Sequence, residues 1–311
     1  MNRFSLLYSF LICGLLMLSA CNDQKKIEKP KISFSFDDGA TQDFPGYKNA
    51  DWNQLLLGKL AAENVKAVLF VKGKNLDNEA GKTIIKNWND AGHLIANHTY
   101  SHPYFNSKKV SLNRFKQELL KNDSLINKYS NFTKLFRFPY LKEGNTVEKR
   151  DGFRKFLKEQ NYKTGHVTID ASDWYINQRL VKRLKENPQS DISGYRNYYL
   201  KHLFNRAEYY NSLGKELTGR QIHHNILLHH NLTSALFIDD LIKHFKKNGW
   251  EIVNAEKAYK DPIYTKTPVT IPAGESLLWA LAKQTKKYDS ILRYPAEDSR
   301  YEKEAMDFLG L

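Results

Sequence analysis

Short runs of β-branched and aromatic residues alternate along the chain with longer stretches whose apolar positions recur every three or four residues, the pattern of βα units. Seven runs read as strands: Ile32 to Phe36, Val65 to Val71, His93 to Asn97, Lys134 to Phe138, Thr164 to Ile169, Ile226 to His229 and Trp250 to Val253. Trp52 to Glu63 and Leu112 to Tyr129 read as helices between them. Such alternation predicts a mostly parallel sheet, open or closed into a barrel. One connection, Tyr175 to Asn225, is too long for a simple loop and holds helix-like stretches at Leu180 to Lys185 and Tyr195 to Leu213. It reads as an insertion placed over the mouth of the site. Its aromatic side chains could stack on a ligand's rings, but Tyr195, Tyr199 and Leu203 fall four apart, the stripe of a helix packed on its apolar face. Pro268 to Leu311 reads as capping helices, with Pro272 near a helix start and Trp279 facing inward.

The first residues follow a different pattern. MNRFSLLYSFLICGLLMLSAC has Arg3 near its start, an apolar run from Phe4 to Leu18, and the small residues Ser19 and Ala20 just before Cys21. The run is short for a membrane span and ends without a cationic flank, so it reads as a secretory signal peptide over residues 1–20. Leu18-Ser19-Ala20-Cys21 resembles the lipobox of bacterial lipoproteins, in which the cysteine becomes the acylated first residue of the mature chain. Each buried acyl methylene contributes about 0.8 kcal/mol, so several chains hold a protein on a membrane. Residues 21–31, polar and lysine-rich, are then a tether, and the protein is expected outside the cytoplasm, anchored in the bacterial envelope on the periplasmic or outer-membrane side.

Composition narrows the chemistry. With 48 Lys plus Arg against 34 Asp plus Glu, the 311-residue chain has a formal charge of +14. The cations are dispersed rather than gathered into a basic run, which argues against nucleic acid as a partner. Both cysteines, Cys13 and Cys21, precede the folded region. Any metal must therefore be held by histidines and carboxylates.

Such groups gather where the strand runs end, the functional edge of a parallel barrel. Asp37-Asp38-Gly39 follows the first run, His98-Thr99-Tyr100-Ser101-His102 the third, Pro139-Tyr140 the fourth, Asp170-Ala171-Ser172-Asp173-Trp174 the fifth and His229-His230 the sixth. His98 and His102, four apart, would share one side of a helical turn ending before Pro103, and a carboxylate from another strand would complete three ligands. Asp37 and Asp38 are adjacent, so their side chains diverge and can divide two tasks. By itself Asp-Asp-Gly is also a good turn.

Ser35-Phe36-Asp37-Asp38-Gly39, His98-Thr99-Tyr100-Ser101-His102, Arg137-Phe138-Pro139-Tyr140, Asp170-Ala171-Ser172-Asp173-Trp174 and Leu227-Leu228-His229 resemble, in order, the five motifs of the polysaccharide deacetylases, carbohydrate esterase family 4. The resemblance implies an α/β fold, a distorted (β/α)7 barrel over about residues 32–260. The helical insertion at 175–225 and a C-terminal helical extension at 261–311 would be additions to it. It further implies that Asp38, His98 and His102 hold a divalent metal, usually Zn2+, and that Asp37 is the catalytic base oriented by Arg137. His229 would be the acid, tuned by Asp173. The backbone N–H of Tyr140 would meet the oxyanion, with Trp174 and Leu227 walling the acetyl pocket. Asp170 is expected to be structural.

Where many family members carry Asp after the fifth-motif histidine, this chain has His230 and Asn231. His223, His224 and His230 could be read as a second metal site, but histidines near strands are more often hydrogen-bonded or solvent-facing. The implied activity is removal of acetyl groups, N-acetyl first, from peptidoglycan, a chitin-like polymer or an exopolysaccharide. O-deacetylation of a xylan-like polymer and an inactive glycan-binding lipoprotein are the competing functions.

Overall fold

The computed structural model describes residues 28–293 and 299–311. Residues 1–20, expected to be a signal peptide, and Cys21 lie outside the described residues. Among those described, no helix is long and apolar enough to cross a membrane.

A parallel sheet forms the centre, with helices packed around it. Its strands are β1 (Lys31–Asp38), β2 (Val68–Val71), β3 (Leu94–Asn97), β4 (Phe132–Phe136), β6 (Lys163–Thr164), β7 (His223–His229) and β8 (Glu251–Ile252). The order is β6-β4-β3-β2-β1-β7, with β8 pairing the start of β1. Six of the seven expected strands are present as such, and the sheet curls into a half-barrel. The fifth run does not form one continuous strand. Its start, β6, pairs with β4, whereas Ile169 bridges Ile226 of β7. Residues 163–169 thus span the gap between the two edges of the sheet. Gly165 allows this bend to pass close to the core, since a Cβ there would lie 2.6 Å from the Phe70 ring.

The sequence pattern also overlooks a small antiparallel pair, β5 (Lys142–Gly144) with β9 (Ala273–Gly274). Strands of two or three residues carry no readable alternation. The pair ties the C-terminal segment to the Pro139–Leu141 turn, where Leu141 accepts a hydrogen bond from the Glu275 amide at 2.9 Å.

The helices are α1 (Asn49–Ala62), α2 (Gly73–Leu76), α3 (Glu79–Asp90), α4 (Leu112–Ile126), α5 (Val147–Glu159), α6 (Asp173–Glu186), α7 (Ser193–Thr218), α8 (Leu232–Lys247), α9 (Ala255–Ala258), α10 (Leu277–Thr285) and α11 (Arg300–Phe308). Their starts follow from local chemistry. Asn78, Ser111, Thr146, Asn231 and Ser276 each accept from an amide three residues on, capping α3, α4, α5, α8 and α10.

The expected insertion is α6 and α7, and its place differs from expectation. α7 packs on α6, α8 and α10 as an outer layer rather than over the mouth. Tyr195, Tyr199, Leu203 and Tyr210 are buried, which supports the packing stripe over a sugar-stacking role. Each such burial contributes roughly 1.5–3 kcal/mol, so the aromatic content of α7 is spent on the core. In the C-terminal segment Pro272 precedes α10 by five residues, and Leu277 and Leu278 are the buried positions. Trp279 is only half-buried, its Nε1 donating to the Arg293 carbonyl at 2.8 Å.

Candidate active site

A cavity of about 370 Å³ opens at the carboxyl ends of the strands. Asp37, Asp38, His98, His102, Tyr140, Trp174, Leu227 and His229, gathered from five separate sequence motifs, all line it. Arg137 and Asp173 lie directly behind, in contact with Asp37 and His229.

Asp37 ends buried in β1, whereas Asp38 takes a left-handed backbone (φ +76°) that turns its carboxylate into the cavity. The two carboxylates therefore separate as alternation required, with the chain reversing at Gly39. Asp37 receives the Arg137 guanidinium at 3.1 and 3.2 Å. That guanidinium is itself fully determined. It donates to the Gly165 carbonyl, to Ser35 Oγ at 3.3 Å and to the Tyr259 hydroxyl at 3.0 Å, and it lies over the Phe70 ring at 4.1 Å. Burial raises the Asp37 carboxyl to about 6, against the opposing pull of Arg137.

His98 and His102 are not on a helical turn. They sit in the loop after β3, with Thr99 and His102 at φ +64° and +60°. The reason is a hydrogen-bond frame that no helix could satisfy. The buried Asn97 side chain accepts from the Thr99 amide at 2.9 Å and from Asn122 of α4 at 3.0 Å. Thr99 Oγ1 accepts from the His102 amide, and Glu118 accepts from both the amide and the hydroxyl of Ser101 at 2.6 Å. Strained backbone at several residues of one site is maintained by such surrounding contacts.

The ligand atoms of Asp38, His98 and His102 lie within 4.8 Å of one another, the one such trio among the described residues. Asp38 Oδ1 is 3.8 Å from His98 Nε2 and 3.5 Å from His102 Nε2. It is buried and accepts no hydrogen bond, an arrangement that is costly for a carboxylate without a cation. His98 Nδ1 faces the Arg137 carbonyl at 2.8 Å; a carbonyl only accepts, so the ring proton sits on Nδ1 and Nε2 offers a lone pair to the trio. Burial lowers both imidazoles, His102 to about 4, leaving them neutral at neutral pH as metal ligands require. The residues present fit a divalent cation. Glu118 fixes the loop between the two histidines, so Glu118→Ala is expected to weaken Zn2+ binding about 10- to 100-fold by titration calorimetry while leaving the fold intact by circular dichroism.

On the opposite side, Asp173, the first residue of α6, holds His229. Its Oδ1 is 2.7 Å from Nδ1, and its Oδ2 accepts from the His229 amide at 2.8 Å and from Asn231 at 3.1 Å. Burial alone would lower this imidazole, but the charge and hydrogen bond of Asp173 outweigh it and raise His229 to about 9. His229 is thus an imidazolium at neutral pH with a proton to give.

His230 and the neighbouring histidines form no second metal site. His230 Nδ1 accepts from the Ala40 amide at 3.1 Å, and the ring packs on Trp52 and Trp88. His224 is buried at the other end of β7 against Thr168, and successive strand positions turn His223 to the opposite face. Asp170, expected to be structural, lines the cavity, as do Leu141 and Lys72. Lys72 directly follows β2, the same strand-end position that marks the other site residues. Tyr259, Asn225 and Glu118 stand behind the site, and only their place in the fold reveals them.

An α/β fold with a carboxylate–imidazole trio and a paired imidazolium at the carboxyl edge of a parallel half-barrel defines the class. Over its first half this chain is similar to the polysaccharide deacetylase family, carbohydrate esterase family 4. Residues 24–164 match the family model described as polysaccharide deacetylase. A peptidoglycan-N-acetylglucosamine deacetylase of Bacillus cereus is 32% identical over 147 residues, 47% of each protein, so the chain spans about half the length of that relative. In fold it resembles a crystal structure of a polysaccharide deacetylase from Bacillus cereus (TM-score 0.53, 21% identity, covering 73% of this chain and 94% of the other). It also resembles a peptidoglycan N-acetylglucosamine deacetylase (TM-score 0.50, 23% identity, 74% and 88% covered).

Proposed function

We propose that the protein is a metal-dependent hydrolase that removes N-acetyl groups from a polysaccharide. The observation that carries this reading is the meeting, in one cavity, of an Arg137-held carboxylate, an Asp38–His98–His102 trio and an Asp173-held imidazolium. Asp38, His98 and His102 would hold the cation, taken as Zn2+. Bound there, it supplies Lewis acidity toward the acetyl carbonyl and acidifies a water molecule.

The chain's own residues divide the remaining work. Asp37, within reach of the trio through its 3.7 Å approach to His98 Nε2, takes the proton of the attacking water. Arg137 keeps that carboxylate in one orientation. The Tyr140 amide, on the left-handed turn at φ 55° beside the cavity, donates to the carbonyl oxygen as charge develops on it. His229 delivers its proton to the departing sugar nitrogen, whose bond to the acyl carbon then breaks to give acetate and a free amine. Leu227 and Trp174 form an apolar wall for the acetyl methyl group.

The catalytic unit is proposed to run from about residue 32 to 260, with residues 261–311 as an extension. Export and lipid attachment at Cys21 remain a proposal from the sequence. Detergent partitioning of the wild type against Cys21→Ala tests it.

Acetate release from N-acetylglucosamine oligosaccharides tests the activity. Stripping with a chelator is expected to abolish release, and adding Zn2+ to restore it. Release that persists in fully stripped protein would overturn metal dependence.

A further inference from the structure

Lys72 is the one cationic side chain on the cavity wall to which the proposed reaction gives no task. It follows β2 and is held in place from both sides. Its amide donates to the Asp38 carbonyl at 2.9 Å, and its neighbour Gly73 has no room for a side chain, a Cβ there meeting Asn122 and Tyr100 at 2.5 and 2.6 Å. The Lys72 side chain is half-buried on the cavity wall. Elsewhere among the described residues half-buried lysines are anchored, apart from Lys116, which lies over the Phe156 ring. Lys59, Lys82 and Lys142 reach carboxylates, while Lys66 and Lys149 reach backbone carbonyls. Among the described residues Lys72 has neither an ion pair nor a side-chain hydrogen bond.

The location makes this lone cation costly. Its charge acts on Asp38 and His102, two of the three residues proposed to hold a dication. A further positive centre beside that cation weakens the cation's binding unless an anion joins them. Asp38 faces the two imidazoles at 3.8 and 3.5 Å, Asp37 is committed to Arg137 and Asp173 to His229, while Asp170 also lines the cavity. Lys72 is thus left on the cavity wall where an anion carried by the substrate can meet it.

We infer that Lys72 is a specificity residue that binds a carboxylate carried on the sugar next to the N-acetyl group being removed, so that the enzyme prefers an acidic glycan to a neutral one. This rests on the deacetylase reading and narrows its substrate class. A lactyl ether or a uronic acid presents the same chemistry, and a lysine reads either as a point charge.

The test compares kcat/KM at low ionic strength on three oligosaccharides of N-acetylglucosamine: unsubstituted, alternating with N-acetylmuramic acid, and alternating with glucuronic acid. A charge-assisted hydrogen bond predicts a preference of about 10- to 100-fold for at least one acidic glycan in the wild type, and the better of the two identifies the source of the carboxylate. Lys72→Met should collapse that preference to near unity and Lys72→Arg should retain most of it, whereas a structural defect would lower all three substrates alike. Equal turnover of acidic and neutral glycans by the wild type, or an undiminished preference in Lys72→Met, overturns the inference and leaves the deacetylase reading standing. No acetate from any glycan with metal-loaded protein overturns the deacetylase reading instead.

Discussion

Asp37→Asn is expected to lower kcat by about 10²- to 10⁴-fold, the range for loss of a positioned general base. The substitution keeps the size of the side chain and one acceptor for Arg137, which donates to both Asp37 oxygens in the wild type. It removes the ability to take a proton. Because Asp37 is not a member of the Asp38–His98–His102 trio, Zn2+ stoichiometry should be unchanged, and KM should move little. Steady-state kinetics beside a metal assay check this. A variant that loses both metal and activity would instead make Asp37 part of the metal site.

The second large effect concerns the acid. His229 stands at about 9 because Asp173 opposes the lowering effect of burial. The proton donor is the protonated ring, so activity is present below its pKa and falls as pH rises through it. In Asp173→Asn the main raising influence is gone, and the alkaline limb of the kcat profile should move down by two units or so. Near pH 8 that amounts to about a 10-fold loss, approaching 100-fold only above pH 9, with recovery at lower pH. An alkaline limb that stays in place in Asp173→Asn would remove His229 from the role of acid. A mere loss of packing would lower the whole profile without moving it.

The site was legible from the sequence to the extent that its groups are local. Asp37-Asp38, His98 with His102, and Asp173-Trp174 occupy short stretches directly after strands, where alternation and strand ends can be read from residue type alone. The geometry of the histidine loop was not, because helical spacing and a strained loop place residues four apart equally near. What fixes the loop, Asn97 to Asn122 and Ser101 to Glu118, are contacts between β3 and an amphipathic helix, and Glu118 looks like any solvated helix position. Tyr259 and Asn225 reach Arg137 from elements far along the chain. Lys72 escaped notice because a lysine after an apolar strand ordinarily marks the surface. The long insertion was legible as helices from the period of Tyr195, Tyr199 and Leu203, but which side of the sheet it covers depends on α8 and α10, with which it packs.

The sheet was recoverable for the same reason. Runs such as Val68–Val71 and Leu94 to Ala96 are continuously apolar because both faces are covered, as parallel strands require. The closing segment was read as one strand because its residue types suit one. Only the positions of β4 and β7 show that its two ends pair with different edges.

Mass spectrometry of N-acetylglucosamine oligosaccharides after incubation with Zn2+-loaded protein tests the central claim most directly. The account predicts products that have each lost an acetyl group and gained a free amine, and none with Asp37→Asn carrying the same Zn2+. Intact oligosaccharides, neutral and acidic alike, after incubation with fully loaded wild-type protein would contradict it.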